Sequence, residues 1–317
     1  MIDILKECEG AKKIGISGHV RPDGDCVGST LALQMYLRKC LPDAEITVYL
    51  EQPPEIFCEI VGFNAINSEF PDVEEMDVFF VLDCMPDRTG GAAKYETIAK
   101  KTINIDHHMS NPGSTPLSVV KPEAGSCCEV LMDLLKEEKL DEDIAMSLYI
   151  GIIHDTGVFQ YSCTSPDTMM KGAKLIAYGF DYPRLIQETF YQKTYMQTQI
   201  MGRVLMESVR FMDGKCIVGL LDKKTQEFYN VTPKDFDGIV NQLRNIKGIS
   251  CAIFMYQTDV LEYKASLRTD ETINAAAIST YFGGGGHARA AGCTLQGTFY
   301  DCINNLSAQI EKQLEKA

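Results

Sequence analysis

The segment that most constrains the fold is an apolar run, residues 78–82, with the sequence Val-Phe-Phe-Val-Leu. Such a run without polar alternation is typical of a strand buried on both faces, at the centre of a parallel sheet. The run ends on Asp83, and a second short run, residues 102–105, ends on Asp106-His107-His108. Because parallel strands align their carboxyl ends, we expect these polar side chains at one edge of one sheet.

Strands and helices alternate along the first part of the chain, which predicts a doubly wound parallel sheet in an α/β domain over residues 1–185. Its other predicted elements are strands at 14–17 and 45–50 and helices at 27–39, up to about Lys100, at 123–138 and at 141–153. A helical linker is predicted over 186–208. A smaller α/β domain is predicted over 209–317, with strands at 216–221, 251–256 and 261–267 and helices near 233–244, 272–282 and from 298 onward. We expect a cleft between the two domains.

The composition limits the class of protein. The 317 residues are enough for two cores, and 45% hydrophobic content is ordinary for a globular protein. A net charge of −14 argues against binding of long nucleic acid, which needs a broad basic surface, but allows a small anionic substrate. The 12 cysteines lack zinc-like spacing, so we interpret them as reduced thiols of a cytoplasmic protein. No apolar run approaches the roughly 20 residues of a membrane span, so no membrane contact is expected.

Polar clusters occupy four separate loops of the first domain. Residues 19–25 form an HxxxDxD pattern after the first strand, and His154-Asp155-Thr156-Gly157 closes a helix. The metal-capable side chains of the four loops are His19, Asp23, Asp25, Asp83, Asp106, His107, His108 and Asp155. A lone aspartate at a strand end is commonly a cap or turn residue, but four clusters at one sheet edge indicate a metal site. Carboxylates with imidazoles and no thiolate suit Mn²⁺ or Mg²⁺, with iron or cobalt as alternatives, and two ions roughly 3.5–4 Å apart would act on a phosphate group.

Taken in this order, the HxxxDxD pattern, the strand-end aspartate, the DHH tripeptide and the HDTG segment resemble the DHH phosphoesterase superfamily. The later segments Ser266-Leu267-Arg268, Gly283-Gly284-Gly285-Gly286-His287 and Ala290-Ala291-Gly292 resemble the DHH-associated substrate domain. The resemblance covers the whole chain. By length and layout, the chain is most similar to the nanoRNase and pAp phosphatase group.

The resemblance implies a role for each matched residue. His19 and Asp23 would ligate a first metal, Asp83 would bridge, and the ligands of a second metal would be Asp25, His107 and Asp155. His108 would contact the scissile phosphate and assist the leaving group, with Asp106 orienting an imidazole. The residues expected to bind substrate are Arg268, Gly284, Gly285, Gly286, His287 and Arg289. The implied cofactor is two Mn²⁺ per chain, with Mg²⁺ or Co²⁺ as substitutes.

The implied activity is metal-dependent hydrolysis of short oligoribonucleotides to mononucleotides, and of 3′-phosphoadenosine 5′-phosphate to AMP, by two-metal activation of water. Three alternatives stay open: a phosphodiesterase for c-di-AMP or the linear dinucleotide pApA, a pyrophosphatase or polyphosphatase, and a nucleotide sensor without turnover. The glycine-rich segment argues against the second, and the intact ligand positions argue against the third. Arg21, Arg88 and His154 could each be an extra phosphate contact or a residue of no catalytic role, and a homodimer is compatible with the family.

Overall fold

The computed structural model describes residues 2–315. The chain divides into two compact units, one that extends through Gln192 and one that begins at Lys193. All twelve cysteines are unpaired, and most of them are buried, as the sequence predicts. Within residues 2–315 no helix is both long enough and apolar enough to cross a bilayer.

The first unit is built on a five-stranded parallel sheet with the order β2-β1-β3-β4-β5. Its strands are β1 (Lys13–Ser17), β2 (Glu45–Tyr49), β3 (Met76–Leu82), β4 (Ala99–Asp106) and β5 (Leu117–Val120). Its α-helices are α1 (Ile4–Glu7), α2 (Gly24–Cys40), α3 (Ala93–Ile98), α4 (Cys127–Met132), α5 (Glu142–Asp155), α6 (Pro166–Ile176) and α7 (Tyr182–Ile186). A π-helical turn, Gln187–Tyr191, follows α7. The predicted α/β class with a parallel sheet is confirmed.

The central strand β3 is buried on both faces, which explains its continuous apolar sequence. Its alternate residues Phe80 and Leu82 join the large core beneath α2, α4 and α5. Phe79 and Val81 join a smaller core on the other face, where Tyr95 of α3 packs. Alternation of side chains across the pleat distributes the run between the two cores.

Three elements of the first unit differ from the prediction. The helix expected to reach Lys100 ends at Ile98, because the chain passes directly into β4. The helix expected over 123–138 is reduced to α4, since Ser126 caps its start by accepting a hydrogen bond from the Glu129 N–H, and the residues before it form a turn. Strand β5 was not predicted, because four half-buried residues at the sheet edge carry little periodicity.

The second unit contains a six-stranded mixed sheet with the order β10-β11-β9-β8-β7-β6. Its strands are β6 (Val209–Phe211), β7 (Cys216–Leu221), β8 (Cys251–Asp259), β9 (Glu262–Thr269), β10 (Gly285–His287) and β11 (Ala290–Gln296). Its α-helices are α8 (Tyr195–Met206), α9 (Lys223–Tyr229), α10 (Ile239–Arg244), α11 (Ala275–Tyr281) and α12 (Phe299–Leu314). Among the described strands of this unit, β7 and β8 pair in parallel and the other neighbours pair in the antiparallel sense. Helix α8 lies in the segment predicted as a linker, and it packs Ile200 and Val204 into this unit's core.

The glycine-rich segment is a strand hairpin, which the sequence did not predict. Gly286 of β10 pairs with Ala291 of β11. A Cβ atom on Gly284 would lie 2.1 Å from the carbonyl oxygen of Gly292, and one on Gly286 would lie 2.5 Å from that of Ala290. These two glycines therefore allow the two strands to approach each other.

The contact between α2 and α5 yields a stability prediction. A Cβ atom on Gly28 would lie 2.6 Å from the Ser147 carbonyl oxygen, so Gly28→Ala should lower the free energy of unfolding by about 1–3 kcal/mol through overpacking. Gly202 in α8 has no atom within 4 Å of such a Cβ, and Gly202→Ala should raise it by about 0.4–1 kcal/mol. Chemical denaturation measures both, and a Gly28→Ala protein as stable as the parent would contradict the packing argument.

Candidate metal centre

The candidate metal centre lies at the carboxyl edge of the first unit's sheet. Neighbouring strands β1, β3 and β4 lead directly into the loops that carry His19, Asp83 and the tripeptide Asp106-His107-His108. The amino terminus of α2 adds Asp25, and the carboxyl terminus of α5 adds Asp155. Residues that are far apart in the sequence meet here because parallel strands end at the same edge.

Asp83 occupies the middle of the cluster. Its side chain is 2% exposed. Oδ2 lies 3.4 Å from Nε2 of His19, whereas Oδ1 lies 3.4 Å from Nε2 of His107 and 3.6 Å from Nδ1 of His108. The two carboxylate oxygens thus face two different sets of side chains.

Within the described residues, donor atoms converge to within 4.8 Å in three overlapping groups. One group contains His19, Asp23 and Asp83, and a second contains Asp25, His107 and Asp155. The third consists of Asp83, Asp106, His107 and His108. The first two groups are the sets that the family resemblance assigns to two metals. The structure brings these side chains together, and their role as ligands remains a prediction.

Asp25 is held by the start of helix α4. The side chain is fully buried, and its two oxygens accept hydrogen bonds from the main-chain N–H groups of Cys127 at 2.5 Å and Cys128 at 2.9 Å. The positive end of the helix favours the carboxylate at this place. Burial, together with the charges of Asp83 and Asp155, nevertheless raises its pKa well above the usual value. Asp25 therefore has a fixed position and a need for further positive charge.

His19 and His107 present the same ring nitrogen, Nε2, to the carboxylates. Nδ1 of His19 lies 3.0 Å from the Val20 carbonyl oxygen, and Nδ1 of His107 lies 3.3 Å from that of Ala124. Donation from Nδ1 to these carbonyls directs Nε2 toward the cluster, the arrangement common among metal-ligating histidines.

The carboxylates perturb the protonation of the cluster. Burial lowers the pKa of His19, but hydrogen bonds and charge from Asp23 and Asp83 raise it to about 11. For His107 the same burial effect is outweighed by Asp155 and Asp83, which raise its pKa to about 12. Burial raises the pKa of Asp155, the hydrogen bond with His107 lowers it, and the negative charge of Asp83 raises it again. The result is a pKa of about 6. The cluster therefore holds protons where a metal would supply positive charge.

Two buried atoms support the fit of a cation. Oδ1 of Asp83 and Nε2 of His107 are inaccessible to solvent and make no hydrogen bond of standard geometry. Buried polar atoms without partners are rare in native proteins because they carry a full desolvation cost. Both atoms belong to the groups with metal-ligand spacing. Oxygen and imidazole donors without thiolate suit a divalent cation such as Mn²⁺, so the residues present fit a metal.

Two asparagines complete the centre, and sequence reasoning missed both. Nδ2 of Asn111 donates to Oδ2 of Asp106 at 2.7 Å and to Oδ1 of Asn104 at 2.8 Å. Oδ1 of Asp106 accepts from Nδ1 of His108 at 2.8 Å. Burial raises the pKa of Asp106, but His108 and Asn111 more than offset this effect and lower it. The sequence signal for this pair was Asn104, a polar amide between Ile103 and Ile105 in the buried part of β4.

The three residues whose role the sequence leaves open, Arg21, Arg88 and His154, have different surroundings. His154 packs its ring against Phe57 and Phe190, with centroids 5.0 and 5.5 Å apart, and its Nε2 lies 3.2 Å from Oγ1 of Thr189. Arg21 and Arg88 have exposed side chains. The carbonyl oxygen of Arg88 accepts a hydrogen bond from the Val20 N–H, which ties the loop of His19 to the turn after Asp83.

The predicted substrate residues lie together in the second unit. Arg268 of β9 pairs with Ala290 of β11, which pairs with His287 of β10, so the three residues form one row across the sheet. Directly opposed residues of antiparallel strands project from the same face. Nε of Arg268 donates to Oδ1 of Asn241 at 3.0 Å. The other predicted substrate residues, Gly284, Gly285, Gly286 and Arg289, flank this row on the hairpin.

Comparison with known proteins extends these observations. Residues 13–152 match the family model described as DHH family, N-terminal domain, and residues 213–316 match the DHHA1 domain. The chain is 28% identical over 303 residues to the bifunctional oligoribonuclease and PAP phosphatase NrnA of Thermus thermophilus, covering 94% of this chain and 88% of that protein. It is 25% identical over 299 residues to the protein of the same name from Bacillus subtilis, covering 92% of each.

A solved structure shares the whole fold. The crystal structure of an exopolyphosphatase-related protein from Bacteroides fragilis matches with a TM-score of 0.89 and 25% identity, covering 98% of this chain and 95% of that one. The two family models together span most of the chain, and the metal-capable loops lie in the order that the family resemblance requires. The chain therefore carries a DHH-family N-terminal domain followed by a DHHA1 domain.

Proposed function

We propose that this protein is a manganese-dependent phosphoesterase that hydrolyses short oligoribonucleotides to mononucleotides and 3′-phosphoadenosine 5′-phosphate to AMP. The observation that carries the proposal is the buried Asp83 carboxylate, whose two oxygens face two sets of candidate ligands. The substrate class comes from the relatives, because the proteins of Thermus thermophilus and Bacillus subtilis are both named bifunctional oligoribonuclease and PAP phosphatase.

Two Mn²⁺ ions are proposed on the basis of the donor set. His19 and Asp23 would hold one ion, the ligands of the other would be Asp25, His107 and Asp155, and Asp83 would serve both. Mg²⁺ prefers all-oxygen surroundings, so the imidazoles favour Mn²⁺, with Co²⁺ as a substitute. Divalent ions at such a centre supply the Lewis acidity that activates water and neutralises phosphate oxygens.

The chain's own residues have separate tasks around the reacting phosphate. His108 is a third exposed, and its Nδ1 is bound to the buried Asp106, which leaves Nε2 to contact a phosphate oxygen or to pass a proton to the leaving group. Asp106 fixes the ring and does not reach solvent. We assign His108 to the leaving group and Asp106 to its orientation.

Residues of the second unit are proposed to bind the substrate. Arg268 supplies a guanidinium suited to a phosphate. His287 lies in the same row of the sheet, and its side chain is exposed. Gly285 has no atom within 4 Å of where a Cβ would be, so its backbone is open to a ligand. Because the net charge is −14, binding depends on these local groups, which favours a small substrate over a long nucleic acid.

A cytoplasmic location is part of the proposal, since twelve unpaired thiols suit a reducing compartment. Hydrolysis of polyphosphate is the second candidate, favoured by the name of the Bacteroides fragilis protein. The dinucleotides c-di-AMP and pApA would require the same metal centre.

A substrate panel with Mn²⁺ tests the proposal. The panel contains 3′-phosphoadenosine 5′-phosphate, pApA, an RNA pentamer, a much longer RNA, c-di-AMP, pyrophosphate and polyphosphate. We expect turnover of the bisphosphate and the pentamer, little on the long RNA, and none with Asp83→Asn. Asp87→Asn, which changes an exposed carboxylate in the following turn, is the matched control and should retain activity. Preference for polyphosphate, or Mn²⁺ binding without any turnover, would overturn the proposed substrates.

Metal affinity should depend on pH. The pKa values of His19 and His107 are raised to about 11 and about 12 without metal, so both rings are protonated at neutral pH. A metal must displace these protons, and the apparent affinity for Mn²⁺ should therefore rise as pH increases from neutrality toward those pKa values. Titration calorimetry in buffers of different ionisation enthalpy measures the protons released. An affinity independent of pH would contradict this assignment of ligands.

A mutation in the second unit should weaken substrate binding without changing metal binding. His287→Ala should raise KM for 3′-phosphoadenosine 5′-phosphate by roughly tenfold or more, the effect of losing one charge-assisted hydrogen bond. The Kd for Mn²⁺ should stay unchanged, because His287 belongs to the second unit and the metal-capable side chains belong to the first. Steady-state kinetics and calorimetry provide the two values. An unchanged KM would remove His287 from the binding residues.

A further inference from the structure

Two buried amides, Asn104 and Asn111, connect parts of the metal centre that are separate in the sequence. Asn104 lies on β4 with no exposed surface, and Asn111 is 5% exposed. Nδ2 of Asn104 donates to the carbonyl oxygens of Val81 at 3.0 Å and Cys84 at 2.8 Å. These carbonyls lie on either side of Asp83, so one amide group spans the turn that presents that carboxylate.

The turn at Asp83 needs such a restraint. Asp83 has a φ of 60°, in the left-handed region that residues with a side chain seldom adopt. Strained backbone of this kind persists where the surroundings hold it in place. The N–H of Asp83 donates to the Ile105 carbonyl oxygen, and the Asn104 amide holds the carbonyls on both sides.

The orientation of both amides follows from their partners. Carbonyl oxygens only accept, so Asn104 must turn its NH₂ group toward Val81 and Cys84, which leaves its oxygen to accept from Asn111. Asn111 therefore presents its own NH₂ group, and the same group donates to Oδ2 of Asp106. Oδ1 of Asn111 accepts from the Gly113 N–H at 3.0 Å and from the Ser114 hydroxyl at 3.1 Å.

Asp106 links Asn111 to His108 and thereby fixes the orientation of the His108 ring. Its Oδ1 accepts from the main-chain N–H groups of His107 at 2.7 Å and His108 at 3.1 Å, and from Nδ1 of His108. Its Oδ2 is bound by Asn111. With both oxygens held, the carboxylate cannot rotate, and the plane of the His108 ring is set with it.

We propose that Asn104 and Asn111 form an amide relay that positions Asp83 and His108 relative to each other. The relay is built only from residues of the first unit and has every hydrogen-bonding group satisfied at its Asn111 end. A fully satisfied buried network specifies one arrangement, whereas apolar side chains of the same size would fill the space without orienting either group. The inference concerns positioning residues and rests on the proposed function for the reaction that they serve.

A double-mutant cycle tests the His108 end of the relay. Asn111→Ala should lower kcat for 3′-phosphoadenosine 5′-phosphate by about 10- to 100-fold, as loss of such supporting partners does elsewhere, with KM unchanged. In a His108→Ala background the same change should alter kcat by less than about twofold, because its effect passes through the ring. Equal losses in both backgrounds, or an unchanged kcat, would overturn the proposal. Ser110→Ala, in the exposed part of the same loop, is the matched control.

A second variant distinguishes loss of the donated hydrogen bonds from loss of the fold. Asn111→Leu retains the approximate size of the side chain and places no second carboxylate beside Asp106, but it removes both donated hydrogen bonds. It should lose kcat while its Mn²⁺ stoichiometry and circular dichroism match the parent. Activity at the parent level would show that the donors do not matter and would overturn the proposal.

Two measurements that do not require catalysis distinguish a failure of this inference from a failure of the proposed function. In the metal-free protein, Asn111→Ala should accelerate hydrogen exchange of the His107 and His108 main-chain N–H groups, and Ser110→Ala should not. Asn104→Ala should weaken Mn²⁺ binding by about tenfold or more through Asp83. If the parent turns over no phosphate ester, the proposed function fails, but these two measurements still decide the positioning role. Unchanged exchange and unchanged affinity would reject it.

Discussion

The structure of the first unit depends on holding several carboxylates together at one buried sheet edge. Asp25, Asp83 and Asp106 are each at most 2% exposed. Like charges removed from water repel strongly and lose their hydration, so each requires specific compensation. Asp25 receives it from the first N–H groups of α4, and Asp106 from two histidine N–H groups and Asn111. Asp83 keeps one oxygen without a hydrogen bond, which makes it the natural place for a cation.

The donors that surround each aspartate therefore determine its role, although the side chains are chemically identical. Main-chain and amide donors hold Asp25 and Asp106 in position, Asp25 as a candidate ligand and Asp106 as a support for His108. Asp83 and Asp155 face mainly imidazoles, whose protons a metal can replace. The same aspartate residue type therefore acts as scaffold at Asp106 and as candidate ligand at Asp83, according to which donors the fold brings to it.

Much of this arrangement could be predicted from the sequence. The apolar run of β3 and the polar residues that follow β1, β3 and β4 predict a parallel sheet with a polar carboxyl edge, and the structure confirms both. The short strand β5, the premature end of α3 and the β10–β11 hairpin could not be predicted. Local propensity says little about a four-residue edge strand, and a run of glycines is equally compatible with a loop or with two strands in close approach.

The sequence by itself determined which side chains have metal-ligating chemistry, their placement at strand ends, and the family. Only the tertiary structure decided which groups these side chains contact. Asp83 faces both sets of candidate ligands, Asp25 accepts from the first N–H groups of α4, and Asn104 and Asn111 link Asp83 to His108. Strand periodicity specifies the direction of a side chain, but hydrogen-bond partners between separate loops depend on distances of a few ångströms. Those distances are set by the packing of helices against the sheet, which no local pattern encodes.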